Sequence, residues 1–410
     1  MICRHCGEDA FIPFADLHYC PPSNSMLKPQ DVGKPEVTYP LKVQTCANCF
    51  LAQVGEHKAA VEIFDDDYTY YSSFSTSWLK HARGFAEAAI DRFRLDGNSL
   101  VVEVASNDGY LLQYFKAAGV PVIGVEPTAN TARVAQEKGI PSIVDFFGAE
   151  LARHEFAEKD RLADLICGNN VYAHVPDIND FTAGLETALA PSGVISVEFP
   201  HLSQLLRENQ FDTIYHEHFS YLSLGVVQRI FESQGLTVFD VERLETHGGS
   251  LRVLGRHADY EDLAVTDRVG AVLAEERAGG LEGEEIYRGF QAKIDTIRAE
   301  FLGFLLAQRQ AGKTVAAYGA AAKGNTLLNY CGVKGTDMLS FVCDLSPHKQ
   351  GRLLPGSHIP VLAPEALDEQ RPDFIVILPW NLKAEIMQQL AHVRDWGARF
   401  VVAIPELQIL

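Results

Sequence analysis

From residue 98 onward, short apolar runs alternate with longer stretches in which apolar positions recur every three to four residues. The runs are SLVVEVAS, PVIGVEP, PSIVDFF, ADLICGN and GVISVEFP. Runs of that length predict buried strands, and strands separated by helical stretches predict a parallel sheet with helices on both faces. The pattern returns in KTVAAYG, MLSFVCDLS, PDFIVILP and ARFVVAIP, which predicts a second, smaller Rossmann-like unit. Between the two, a polar stretch from about Tyr260 to Gln310 reads as a helical connector. An amphipathic helix is expected from near Trp78, behind an aromatic and hydroxyl-rich segment, Asp67 to Ser75, that could fold over a ligand. Residues 1 to about 60 hold prolines and short polar stretches, with no periodic run able to build a core unaided.

What those first residues do hold is two knuckles, Cys3-x-x-Cys6 and Cys46-x-x-Cys49. Together they supply the four thiolates of a tetrahedral zinc site, and four protein ligands leave no open position for water or substrate, so the ion is structural. His5, His18 and Cys20 are the substitutes within reach, and a redox pair is the alternative reading. Cys167, Cys331 and Cys343 lie in or near apolar runs and read as small buried side chains. With 410 residues, 47% of them hydrophobic, the chain can fill two or three cores. A net charge of −19 argues against nucleic acid or an anionic membrane as the main partner. No basic segment leads into an apolar run at the N-terminus, and no eighteen-residue apolar stretch occurs, so a cytoplasmic chain, monomer or homodimer, is expected.

The expected fold class is therefore α/β, in four parts: a zinc-binding module over 1–65, a central Rossmann-like domain over 66–255, the helical connector over 256–310 and a C-terminal Rossmann-like domain over 311–410. In the central domain the first strand, which contains Glu103, runs into Ala105-Ser106-Asn107-Asp108-Gly109 and a helix, bringing backbone N–H groups close to a ligand. The second ends in Glu126-Pro127, the third in Asp145-Phe146 and the fourth in Asn169-Asn170. Acidic or amide groups at four successive strand ends mark a ligand mouth, with Glu126 suited to a ribose diol and Phe146 to adenine. The absence of a pyrophosphate-binding glycine pair favours S-adenosylmethionine over NAD.

In the C-terminal unit, Gly319 to Thr326 forms a small-residue loop opening a helix, with Lys323, Gly324, Asn325 and Thr326 placed to meet a diphosphate. The alternative is that the small residues merely let the helix pack closely. Asp344 is the candidate ribose ligand, and Trp380 and Asn381 are candidates for the base. Proton-transfer groups concentrate in Asn170 to Pro176, which includes His174, and in Phe211 to Tyr221, which includes Tyr215-His216-Glu217-His218. Methylating carbon needs a base to remove a proton α to a carbonyl and a donor to steady the enolate, tasks that histidine and tyrosine suit. If the second segment is extended, Tyr215 and Glu217 share one face and His216 and His218 the other.

At these residues the chain resembles the sugar C-methyltransferases that make branched deoxysugars. The resemblance rests on both cysteine pairs, Tyr68 to Ser73, VxEVASNDGYLL, NNVYAHVPD, YHEHFSY, HGGSLR at His247 to Arg252, and YGAAAKGNT, in that order along nearly the whole chain. It implies S-adenosylmethionine and structural Zn2+ as cofactors and a reaction at C3 of a nucleotide-diphosphate-linked 4-keto-6-deoxysugar. It also implies His218 as the base, with Tyr215, Glu217 and His174 near the sugar and Tyr70 contributed by the connector. An NAD-linked sugar-nucleotide epimerase or dehydrogenase, and a non-catalytic sugar-nucleotide-binding protein, are the rival readings.

Overall fold

The computed structural model describes residues 1–63 and 70–410. Asp67, Tyr68 and Thr69 of the aromatic segment, and the expected boundary between residues 65 and 66, lie outside the described residues. Among the described residues, three sheets organise the chain. The first begins with β1 (Phe11–Cys20), β2 (Tyr39–Cys46) and β3 (Ala52–Val54), joined antiparallel. Sequence patterning does not reveal these strands, because a bulged β1 breaks the alternation that marks a half-buried strand.

Each of the five central apolar runs forms a strand: β4 (Val101–Val104), β5 (Val122–Val125), β6 (Ser142–Ile143), β7 (Ala163–Asn169) and β8 (Leu189–Pro200). These are parallel, and β4 is buried at every position, which is why it reads as an unbroken apolar run. A two-residue strand, β9 (Ser220–Tyr221), leaves this domain and pairs with β3, so the N-terminal sheet is completed by a piece of chain from far downstream. The hairpin β10 (Leu236–Leu244) and β11 (Ser250–His257) then extends the central sheet antiparallel, in the order β10-β11-β8-β7-β4-β5-β6. Strand order reverses between β4 and β7, so the carboxyl ends of these two strands open the crevice in which ligands of such sheets bind.

The third sheet holds β12 (Val315–Tyr318), β13 (Val342–Cys343), β14 (Val361–Leu362), β15 (Phe374–Ile377), β16 (Arg399–Val402) and β17 (Gln408–Ile409), parallel except for β17. The expected connector is helical, with Phe290–Gln310 as its longest helix, and one face of it is core. Phe14 of β1 meets the Tyr287 and Phe290 rings at 5.4 and 5.1 Å, and this apolar cluster continues into the third sheet. The N-terminal module is thus welded to the C-terminal half as well as to the central sheet. Among the described residues no helix is long and apolar enough to cross a membrane.

Candidate functional site

Cys3, Cys6, Cys46 and Cys49 converge, with their sulfurs all within 4.8 Å of one another. Cys3 to Cys49 and Cys6 to Cys46 are each 3.5 Å apart, close to the ~3.8 Å edge of a zinc–thiolate tetrahedron. Gln53 of β3 donates its Nε2–H to the Cys3 sulfur at 3.3 Å, the kind of outer hydrogen bond that orients a metal ligand. His5 instead contacts Asn179, and the Cys20 thiol donates to the Leu17 carbonyl, so neither joins the cluster.

At the crevice, the backbone leaving β4 takes left-handed angles at Ala105 (φ 57°), Asn107 (φ 49°) and Gly109 (φ 75°). A Cβ on Gly109 would sit 2.4 Å from the Ile140 side chain, so a larger residue would be both strained and crowded. The Asn107 amide donates to Glu126 Oε2 at 2.8 Å and the Thr128 amide to Oε1 at 2.9 Å, which ties the end of β5 to the loop. Burial raises Glu126 above the usual carboxylate range, opposed by these donors. Glu103 is fully buried and held well above that range by burial. Among the described residues neither of its oxygens makes a hydrogen bond of good geometry, nor do Ser106 Oγ and the Asn169 side chain. Buried polar atoms left unpaired at a sheet's switch point fit a polar ligand such as S-adenosylmethionine. Pro127 is half-buried beside them, whereas Asp145 and Phe146 stand exposed beyond β6. Asn107 also binds the connector, accepting from the Ser72 amide at 2.9 Å and donating to the Tyr70 carbonyl at 3.2 Å. The Tyr70 side chain is 45% exposed, whereas Tyr71 stacks on His348 of the C-terminal domain at 5.2 Å.

The Tyr215 to His218 segment is a turn, not a strand, because the His218 amide donates to the Tyr215 carbonyl at 2.9 Å. The two residues an extended chain would separate are brought together, with ring centroids 3.9 Å apart. His174, on the short helical turn Tyr172–His174, meets the His218 ring edge-on at 4.6 Å. His218 Nδ1 donates to the Thr213 carbonyl at 2.8 Å, which leaves Nε2 with its lone pair. Burial, and then repulsion from His174, holds His218 well below the ordinary imidazole range, so it is neutral at pH 7. His216 points away and packs against Tyr39 of β2.

Glu217 is held by a residue that sequence reading did not single out: Asn24 of the N-terminal module donates to both carboxylate oxygens, at 2.8 and 2.9 Å. Burial pushes Glu217 up to about 7. Its folded pKa thus exceeds its unfolded one, so the unfolded chain sheds the proton first and stability falls as pH rises from about 4.5 to about 7. Glu217→Gln should therefore raise stability by about 3 kcal/mol at pH 8 and leave it unchanged at pH 4, read from urea midpoints at the two pH values.

In the C-terminal domain Lys323 Nζ lies 2.8 Å from Asn381 Oδ1 and 4.7 Å from the Trp380 ring centre. Trp380 Nε1–H donates to Asp212 Oδ2 at 2.7 Å, tying this domain to the start of the Phe211 to Tyr221 segment. Burial lifts Asp212 to about 6, against the pull of the Lys323 charge. Asp344 accepts from the Ala320 amide at 2.7 Å and the Ser346 amide at 2.8 Å. Thr326 and Asn325 are fully buried, and they reach the Ile214 carbonyl at 2.9 Å and the Ser23 carbonyl at 3.4 Å. A Cβ on Gly324 would meet Leu378 at 2.6 Å, so this glycine permits close helix packing.

Three family models match the chain: a zinc binding domain over residues 3–64, a methyltransferase domain over 78–241 and a C-methyltransferase C-terminal domain over 245–405. The C-methyltransferase NovU of Streptomyces niveus is 38% identical over 408 residues, covering 100% of this chain and 96% of that protein. Among solved structures, PH0226 protein from Pyrococcus horikoshii OT3 has a TM-score of 0.38 at 16% identity, covering 46% of this chain and 95% of that one. Magnesium protoporphyrin IX methyltransferase (ChlM) of Synechocystis PCC 6803 with bound SAM has a TM-score of 0.36 at 13% identity, covering 49% and 99%. Neither structural likeness carries weight beside the full-length relative.

Proposed function

Since the chain belongs to the S-adenosylmethionine-dependent C-methyltransferases, we propose that its methyl acceptor is C3 of a nucleotide-diphosphate-linked 4-keto-6-deoxysugar, bound between the central and C-terminal domains. The observation that carries this reading is the neutral His218, whose Nδ1–H is committed to Thr213 and whose Nε2 is left to accept a proton. Glu103, Ser106, Asn107, Glu126 and Asn169 would hold S-adenosylmethionine, which when bound would supply an electrophilic methyl, its sulfonium carbon–sulfur bond breaking to leave a neutral thioether. His218 Nε2 takes the C3 proton, and the electron pair left behind forms the enolate whose carbon accepts that methyl. Tyr215, packed on the His218 ring, keeps the base in place, and His174 closes the opposite side.

Lys323 is the cation available for the diphosphate, and burial lowers its pKa, so a phosphate partner would offset the cost of its desolvation. Lys323→Met is expected to raise KM for the sugar nucleotide by about 10- to 100-fold, with the Kd of S-adenosylmethionine unchanged by calorimetry. An unchanged KM would remove Lys323 from the diphosphate site. The substrate itself is tested by mass spectrometry with deuterated-methyl S-adenosylmethionine and a panel of dTDP-, GDP- and CDP-linked 4-keto-6-deoxysugars, followed by carbon NMR. A labelled methyl on C3 is expected, whereas a label on oxygen or nitrogen would overturn the reading.

A further inference from the structure

His247 stands in the turn between β10 and β11 with φ 53°, a left-handed backbone that costs a non-glycine residue on the order of 1 kcal/mol. The strain is held from several sides. Trp78 meets the ring edge-on at 5.2 Å, and Gln210 Nε2–H donates to the Gly248 carbonyl at 2.8 Å. Glu198 accepts from Thr246 Oγ1 at 2.9 Å and from Arg252 at 2.9 Å, fixing the turn to β8 and β11. The partner of the ring is Asn170, itself left-handed at φ 54°, whose Nδ2 lies 2.8 Å from His247 Nε2. An amide Nδ2 can only donate, so Nε2 accepts and the ring proton sits on Nδ1, which has no protein acceptor among the described residues. Asn170 also heads the turn that carries His174 onto His218.

Both histidines therefore carry their proton on Nδ1, but they commit opposite nitrogens: His218 spends Nδ1 on Thr213, and His247 spends Nε2 on Asn170. His218 offers a lone pair and His247 offers an N–H. On the proposed substrate, we infer that His247 is a further catalytic residue, its neutral imidazole donating Nδ1–H to the C4 oxygen of the sugar as that oxygen becomes an enolate. The C3–H bond breaks, the proton passes to His218 Nε2, the electron pair forms the C3–C4 double bond, and the displaced carbonyl electrons settle on the oxygen that His247 contacts. Burial, and then the Lys323 charge, holds His247 down at about 4, so it meets the substrate uncharged. A neutral imidazole can thus act as the electrophile for an enolate, as in triosephosphate isomerase.

The test uses the full-length enzyme with the sugar nucleotide named by the panel above, labelled with carbon-13 at C4. In the parent the bound carbonyl stretch should fall relative to free substrate, and C3 deuterium should wash out. In His247→Ala the stretch should return towards the free value and washout should slow by about 100- to 1,000-fold, with both Kd values within a few-fold. His247→Gln, which keeps an N–H, should recover part of both. Slow turnover in His247→Ala with the carbonyl shift intact would make the residue structural, and an unshifted carbonyl in the parent would overturn the proposal without any variant. A parent that neither methylates nor exchanges any sugar of the panel would instead overturn the substrate reading on which this rests.

Discussion

His218→Ala is expected to lower kcat for methyl transfer by about a thousandfold or more, the scale of a lost general base, with S-adenosylmethionine binding unchanged. The variant should fold, because the lost contacts are one hydrogen bond to the Thr213 carbonyl and ring packing with Tyr215, His174 and Tyr221. Exchange of C3 hydrogen with heavy water should fall by the same factor, since the base acts before the methyl moves. A variant that exchanges normally and yet fails to methylate would strip His218 of its role. Loss of cofactor binding would do the same.

The second large effect is that of the metal. Structural zinc in small domains carries roughly 10–16 kcal/mol of apparent binding energy, more than a typical domain's whole margin of stability. Removing zinc with a chelator, or replacing a ligand as in Cys46→Ser, should abolish activity although no ligand of the ion touches the substrate. The reason is connectivity: Cys3 binds Gln53 of β3, β3 pairs with β9, and β9 follows His218 by one residue. Asn24, the support of Glu217, belongs to the same module. Zinc content by atomic absorption and cleavage within residues 1–63 under limited proteolysis should track activity. Full activity at below a tenth of an ion per chain would break this link.

Both Rossmann-like sheets are legible in the sequence, because buried parallel strands leave unbroken apolar runs such as Val101–Val104 and Phe374–Ile377. The zinc knuckles are legible for a different reason, since metal geometry fixes the ligand spacing. The edge strands β10 and β17 escape such a reading, since at an edge pairing partners and not composition decide the strand. The role of Asn24, the bond from Trp380 to Asp212 and the tautomers of His218 and His247 are invisible for a deeper reason. Asn24 lies 193 residues from its carboxylate, and a tautomer follows from which neighbour happens to accept or donate. The turn at Tyr215 to His218 shows the same limit: alternation separates two rings that one backbone hydrogen bond brings together.

The pairing of β3 with β9 has a consequence for synthesis. The N-terminal knuckles emerge from the ribosome able to take up zinc, yet the free edge of β3 waits for Ser220 and Tyr221. At translation speeds of 5–20 residues per second that wait lasts roughly 10 to 30 s. Throughout it the nascent chain displays an unpaired strand edge, the feature that invites aggregation or a chaperone, and only arrival of β9 covers it.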